Sequence, residues 1–410
     1  MNEMRKYNPE SDSEHVKRIW LECGWLEPDK ESTMDLFLKG QDVWVTDINN
    51  EAECLVISSP GSMQYLDESL SMACITGVTT SRIARKQGLA GNMTANVIAN
   101  AADDGAAVCT LGMFEQGYYN QMGFGTGGYE HFISFDPTQL KINRKTGIPR
   151  RLSSKDASLI HESRLNRKLN HGYCNLFPEN ITDAEMQWGD NTFGLGFIDE
   201  KTGKLIHHFC CTAKNVESGP YNIWWMVYHN DEEFLDLLAL IKSLGDQVRL
   251  VRLKEPRGLQ FQDLLNTPFS YRMITEKSPF EHRNKAVAYW QIRICDLEKC
   301  ISAFSSEYGQ LQFNLKLYDP IQKYIGDNQG WNGLTGDYII SLGKSSNCKM
   351  GVDNTLPCLE TNVNAFSRLW LGTVPASGLR LTEKFKCDDT LLKSLDSIFC
   401  LPEPTPDWDF

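Results

Sequence analysis

Residues 74–101 constrain the fold of this chain more than any other stretch, because they run strand, glycine turn and helix without interruption. Residues 74–80, Cys-Ile-Thr-Gly-Val-Thr-Thr, are apolar and β-branched enough for a buried strand. Leu89, Met93, Val97 and Ala101 then recur at helical spacing. Between the two lie Arg85, Lys86, Gln87 and Gly88. A turn of this kind brings the unpaired N–H groups of a helix N-terminus to one point, where the macrodipole adds partial positive charge. Gly88 lets an anion approach without meeting a Cβ, and Arg85 and Lys86 add full charges beside it. The segment therefore predicts an α/β unit carrying a pyrophosphate cradle.

Downstream of this turn the alternation of helix and strand continues. The helix is expected to end near Asp103 with Gly105 as its stop, and residues 107–113 read as a second strand. Then comes Gly-Tyr-Tyr-Asn-Gln-Met-Gly-Phe-Gly over 117–125. Arg85-x-x-Gly88-x-Ala90, followed at this distance by Tyr119 and the pair Gly123-Phe124, resembles the acyl-CoA motif of the GNAT acetyltransferase superfamily. The resemblance implies acetyl-CoA as acyl donor, held by Val78, Thr80, Arg85, Lys86, Gln87, Gly88 and Ala90. It also implies that Tyr119 stands near the thioester sulfur.

Charge and composition exclude several other classes. A net charge of −12 argues against nucleic acid, whose binders cluster Lys and Arg. It suits a cationic substrate, and equally a protein that is merely kept soluble. With 23% charged and 41% hydrophobic residues the chain is an ordinary globular one, and 410 residues imply two or three domains. No apolar run approaches the roughly 20 residues of a membrane span and no signal-like segment opens the chain, so a cytoplasmic protein without membrane contact is expected. The thirteen cysteines contain no Cys-x-x-Cys, which favours reduced thiols. There is no His-Glu-x-x-His, and the adjacent His207 and His208 would face opposite sides of a strand, so no metal is expected.

Three units succeed one another along the chain. The first, 1–145, opens with a capping-box pattern at Ser11 to Glu14 and a helical face of Val16, Ile19, Trp20 and Cys23. Strands near 42–48 and 54–58 lead into the motif strand, and a polar, basic stretch at 141–149 reads as a linker. The second, 146–285, repeats the layout: a strand at 223–228, a helix marked by Phe234, Leu237, Leu238, Ile241 and Leu244, and a strand at 248–253. Its strand-to-helix turn is His229-Asn-Asp-Glu-Glu233, with no glycine and three carboxylates, which should repel acyl-CoA. The third, 286–410, reads as strands at 290–295, 311–317 and 338–342, with helices near 363–371 and 390–400. That order resembles a sterol carrier fold.

Two GNAT-like halves and then such a layer resemble the Eis family of N-acetyltransferases from end to end. The resulting expectation is an α/β (α+β) chain of tandem GNAT domains with a sterol-carrier-like C-terminal domain, assembled as a hexamer. The chain closes Pro404-Thr-Pro-Asp-Trp-Asp-Phe410, and the resemblance implies that the Phe410 carboxylate folds back into the active site as general base. Prolines at 402, 404 and 406 would hold such a tail extended. Tyr119 would be the general acid, N–H groups near Val78 and Thr80 would polarise the thioester carbonyl, and Asp409 and Asp407 would add negative charge beside the base. A carboxylate of pKa ~3.5 facing an ammonium near ~10 makes direct proton transfer uphill by roughly 9 kcal/mol, so burial or a water relay must assist. Eis-like enzymes acetylate polycations including aminoglycosides, with Trp25 and Trp44 as possible walls or core residues here. Two other readings stay open: acetylation of peptide or lysine amines, and a lipid- or peptide-binding protein on a vestigial GNAT scaffold.

Overall fold

A computed structural model describes residues 4–268, 272–307, 309–325 and 330–410. Three sheets organise them. The first has eight strands, in the order Met4–Lys6, Asp42–Ile48, Glu51–Tyr65, Glu68–Thr80, Val108–Gly112, Trp290–Ile294 and Gly125–Thr126, with Cys174–Leu176 added onto Glu51–Tyr65. The second has seven: Arg283–Val287, Glu130–Phe135, Val251–Lys254, Tyr221–Val227, Leu205–Ala213, Phe193–Ile198 and Arg150–Leu152. The third, of five strands, is built from Asn347–Met350, Gly336–Leu342, Leu311–Tyr318, Cys358–Asn362 and Phe385–Lys386.

Sheet membership does not follow chain order. All five residues of Trp290–Ile294 are buried, including Arg293, and the strand satisfies that requirement by inserting between Val108–Gly112 and Gly125–Thr126. In the opposite sense Glu130–Phe135 leaves the first sheet and pairs with Val251–Lys254 and Arg283–Val287 of the second. The stretch 141–149 contains neither helix nor strand.

The first helix starts earlier than its Ser11 pattern suggests. It spans Pro9–Cys23 and is capped by Asn8, whose side chain accepts from the Glu10 N–H. Pro9 lacks the N–H that a first-turn residue would leave unpaired. Asp12, expected mid-cap, is instead buried, accepting from the Asn8 N–H and from Arg5.

In the second sheet, helix Asp231–Ser243 is capped by Asn230, which accepts from the Glu233 N–H, while Glu233 reaches back to the His229 N–H. The side chains of the helix's own first turn thus fill the place where a phosphate would sit. His207 and His208 both lie on Leu205–Ala213 and both are buried. Five strands with helices Val363–Trp370, Ala376–Thr382 and Asp389–Ile398 make up the C-terminal layer. Its core runs into that of the first sheet, where Tyr65 stacks on Trp370 with ring centroids 4.1 Å apart and donates to its carbonyl.

Candidate active site

The motif strand Glu68–Thr80 runs parallel to Val108–Gly112 only from Met72 opposite Val108 to Ile75 opposite Leu111. Beyond Ile75 it diverges. On its other side Thr76 faces Ile57 and Thr79 faces Leu55, so a bulge at Gly77 and Val78 occurs at the point of separation. Gly77 has φ +61, and a Cβ there would stand 2.5 Å from Ile57 Cδ1. The wedge between the strands is where backbone groups of Val78 and Thr80 escape the ladder.

The chain then makes a single tight turn at Arg82–Ala84 and enters helix Leu89–Asp103 through Gly88, at φ +77. No side chain caps this helix, and a Cβ on Gly88 would meet nothing within 4 Å. Its first N–H groups therefore point into open space. Arg85, Lys86 and Gln87 are exposed, Ala90 is half-buried, and neither Arg85 nor Lys86 is ion-paired among the described residues. Splayed strands, an uncapped helix start and two cations outside any ion pair among the described residues together offer unpaired N–H groups and positive charge to an anionic ligand.

Tyr119 sits on the short helix Gln116–Asn120, capped by Glu115. It is buried, edge-on to Tyr118 at 4.9 Å and to Phe124 at 6.2 Å, and its hydroxyl has no hydrogen bond among the described residues. Burial raises its pKa well above the ordinary tyrosine range. Tyr118, pushed up to about 12 by burial, points its hydroxyl at the motif helix, 3.8 Å from where a Cβ on Gly91 would stand.

The tail is threaded between the sheets. Arg257 donates to the Pro404 carbonyl, Cys174 N–H to the Pro406 carbonyl at 2.7 Å, and Arg167 pairs with Asp407 at 2.8 Å. Trp408 is buried under Arg164, whose guanidinium lies 3.7 Å from a ring centroid. Phe410 ends beside Gly112, with a terminal oxygen 2.6 Å from the position a Cβ on that glycine would occupy. The chain end thus meets the Val108–Gly112 strand at the mouth of the wedge.

A cavity of about 400 Å³ opens around Phe410 and Thr76. Its walls are aromatic: Trp20, Trp25, Trp188, Trp224, Trp225 and Trp408 all line it. Trp44 does not; it lies under Lys6. The acidic groups here are already matched. Asp407 holds Arg167, Glu185 holds Arg164, and Lys254 lies 2.6 Å from Glu130 and 3.5 Å from Asp409. Burial alone would lower the Lys254 ammonium, but Asp409, Glu130 and Asp407 outweigh it and hold the group above its ordinary value. Burial lifts the Glu185 carboxyl, with Arg164 opposing. A second lobe, about 500 Å³, continues past Phe410 on the far side of the tail.

The anticipated residues thus fall into three groups. Val78, Thr80, Arg85, Lys86, Gln87, Gly88 and Ala90 gather at the end of the motif strand and the start of helix Leu89–Asp103; Asp409 and Phe410 lie in the cavity; Tyr119 stands in the core beside Phe124 and lines neither lobe. Arg164, Arg167, Glu185 and Lys254 escaped the sequence reading. Arg164, in the last turn of helix Ala157–Leu165, and Arg167, just beyond its end, stand three residues apart, and that basic pair was the available signal.

Residues 3–127 match the family model described as an acetyltransferase (GNAT) domain. The chain carries a GNAT acetyltransferase domain. Its class is accordingly that of an N-acetyltransferase. The fold around the GNAT domain is shared over the full length of several solved structures. A probable N-acyltransferase from Enterococcus faecalis V583 is 16% identical with a TM-score of 0.79, covering 100% of both chains. A GCN5-related N-acetyltransferase from Anabaena variabilis gives the same figures. Eis1 from Mycobacterium abscessus is 13% identical with a TM-score of 0.76, again over 100% of both chains. No curated protein matches the chain.

Proposed function

We propose that this GNAT enzyme transfers the acetyl group of acetyl-CoA to the amine of a small acceptor held in the aromatic cavity, with the tail as part of the catalytic apparatus. The observation that carries this reading is the meeting of Phe410 with Gly112 at the mouth of the wedge. Acetyl-CoA supplies an activated thioester; the N–C bond forms as the C–S bond breaks. N–H groups near Val78 and Thr80 polarise the carbonyl oxygen. In the chain that ends at Phe410, its α-carboxylate accepts the proton leaving the amine. Tyr119 donates to the sulfur, and its raised pKa keeps it protonated throughout the working range.

The aromatic walls support an ammonium acceptor, since a cation gains from the faces of Trp rings. Aminoglycosides and polyamines are the first compounds to try. The test is release of CoA thiol from acetyl-CoA with a panel of such amines, for the whole chain and for one lacking Phe410. Amine-dependent release that falls at least 100-fold on deletion is the expected result. Equal rates for both proteins would remove the tail from the chemistry, and no release with any amine would overturn the reading.

A further inference from the structure

One face of the second lobe carries charge of the opposite sign to the one expected for a polycation's site, while Glu130 and Asp409, which also line the lobe, are matched by Lys254. Register explains how. Arg283 and Arg252 both lie opposite Ser134, on either side of its strand, and Asn222 lies opposite Arg252. Four neighbouring strands therefore present Arg283, Ser134, Arg252 and Asn222 as one row on one face. Lys285 occupies the next row, opposite Phe132. All five side chains line the lobe that also contains Phe410 and Gly112.

Like charges on a single cross-strand row repel one another. A chain of net charge −12 has ample acid to neutralise them, yet none of the three cations is ion-paired among the described residues. Arg252 spends one N–H on the Pro279 carbonyl at 3.1 Å, while its Nε is buried with no partner. Lys285 reaches the Tyr289 hydroxyl at 3.0 Å, with its ammonium 5.3 Å from that ring's centroid. The Ser134 hydroxyl and the Asn222 amide have no hydrogen bond among the described residues either. Burial and the proximity of Arg283 hold the Arg252 pKa below its ordinary value, which marks a guanidinium in want of a counter-ion.

We propose that the acceptor carries an oxyanion, a carboxylate or a phosphate monoester, at a distance from its amine. Arg252, Arg283 and Lys285 bind that group while the amine stands at Phe410. Paired N–H forks, a hydroxyl and an amide suit an oxyanion with several lone pairs. This rests on the acetyltransferase reading for the amine, but the anion site can be tested apart from turnover.

The probes are 6-aminohexanoate, its primary amide and 6-aminohexyl phosphate, titrated calorimetrically against the whole protein and then used as acceptors. The two acids are expected to bind, and to be acetylated with a kcat/KM, at least 10-fold better than the amide. In Arg252→Gln/Arg283→Gln that ratio should fall towards one, and Lys285→Gln should lower it less. The better of the two acids shows which oxyanion the row prefers. Acid binding that is lost in the double variant, without turnover of any probe, would uphold the anion site while the acetyltransferase reading fails. Turnover with no preference for acid over amide would overturn the proposal and leave that reading intact. A double variant whose KM rises for acetyl-CoA, with the acid-to-amide ratio unchanged, would also overturn it, assigning the row to the donor's phosphates.

Discussion

Gly112 is the residue on which the tail's position depends most directly. A methyl group there would lie 2.6 Å from a Phe410 terminal oxygen, and the atom it meets belongs to the backbone rather than to a side chain that could swing aside. Gly112→Ala should therefore push the carboxylate away from the wedge and leave the strand itself intact. Displacements near 1 Å can cost about 100-fold in rate, and we expect a loss of that order in kcat with the thermal midpoint unchanged within a few degrees. A wild-type rate would show that the carboxylate is not positioned by this contact. Sequence gives no sign of this role, because Gly112 carries no motif and acquires its importance only from a neighbour at the other end of the chain. Gly88 was legible, since strand, turn and helix around it are all local.

Among the elements, strand Leu205–Ala213 carries a pH-dependent load. His208 is fully buried, donates from Nδ1 to the Ser163 hydroxyl at 3.3 Å and accepts from Trp225 at Nε2, and burial depresses its pKa to about 3. The unfolded chain binds that proton near the ordinary ~6.5. Between these values the unfolded state is the more protonated, so stability is present above pH ~6.5 and falls as the pH drops towards 3, by about 1.4 kcal/mol per pH unit for one histidine. Urea midpoints measured from pH ~7 to ~4.5 should decline, and His208→Gln should flatten the decline. Parallel slopes in the two proteins would remove His208 as the cause; His161, His171, His207 and His282 are also lowered by burial and contribute in the same direction. Element by element, the long periodic segments were readable: Leu311–Tyr318 and Asp231–Ser243 lie where alternation and helical spacing put them. The start of the first helix was not, because Asn8-Pro9 and Ser11 offer competing caps and the burial of Asp12 against Arg5 decides between them.

At the scale of the molecule, the fully buried pair Arg293 and Asp319 joins the first sheet to the C-terminal layer at 2.7 Å. Arg293 also donates to the Met122 carbonyl, just before the Gly123-Phe124 turn, and Asp319 accepts from the Leu334 N–H. Removing one partner leaves an uncompensated charge in the core, so Asp319→Ala should cost about 3–5 kcal/mol in equilibrium unfolding, and Arg293→Met with Asp319→Leu should cost less. If the single variant lost under ~1 kcal/mol, the pair would not be holding the layers together. Neither this pair nor the cationic row of Arg283, Ser134, Arg252 and Asn222 could be read from the chain, because each is assembled by register between distant strands. A five-residue buried strand such as Trp290–Ile294 has no local mark of the sheet it will enter.

That strand also sets a timetable. During synthesis the GNAT segment leaves the ribosome with Val108–Gly112 still an open edge, and the strand that closes it emerges roughly 10–30 s later at about 5–20 residues per second. The nascent enzyme must spend that interval with an apolar edge on offer to any other strand, and its final shape waits on residues made long after the acyl-CoA motif.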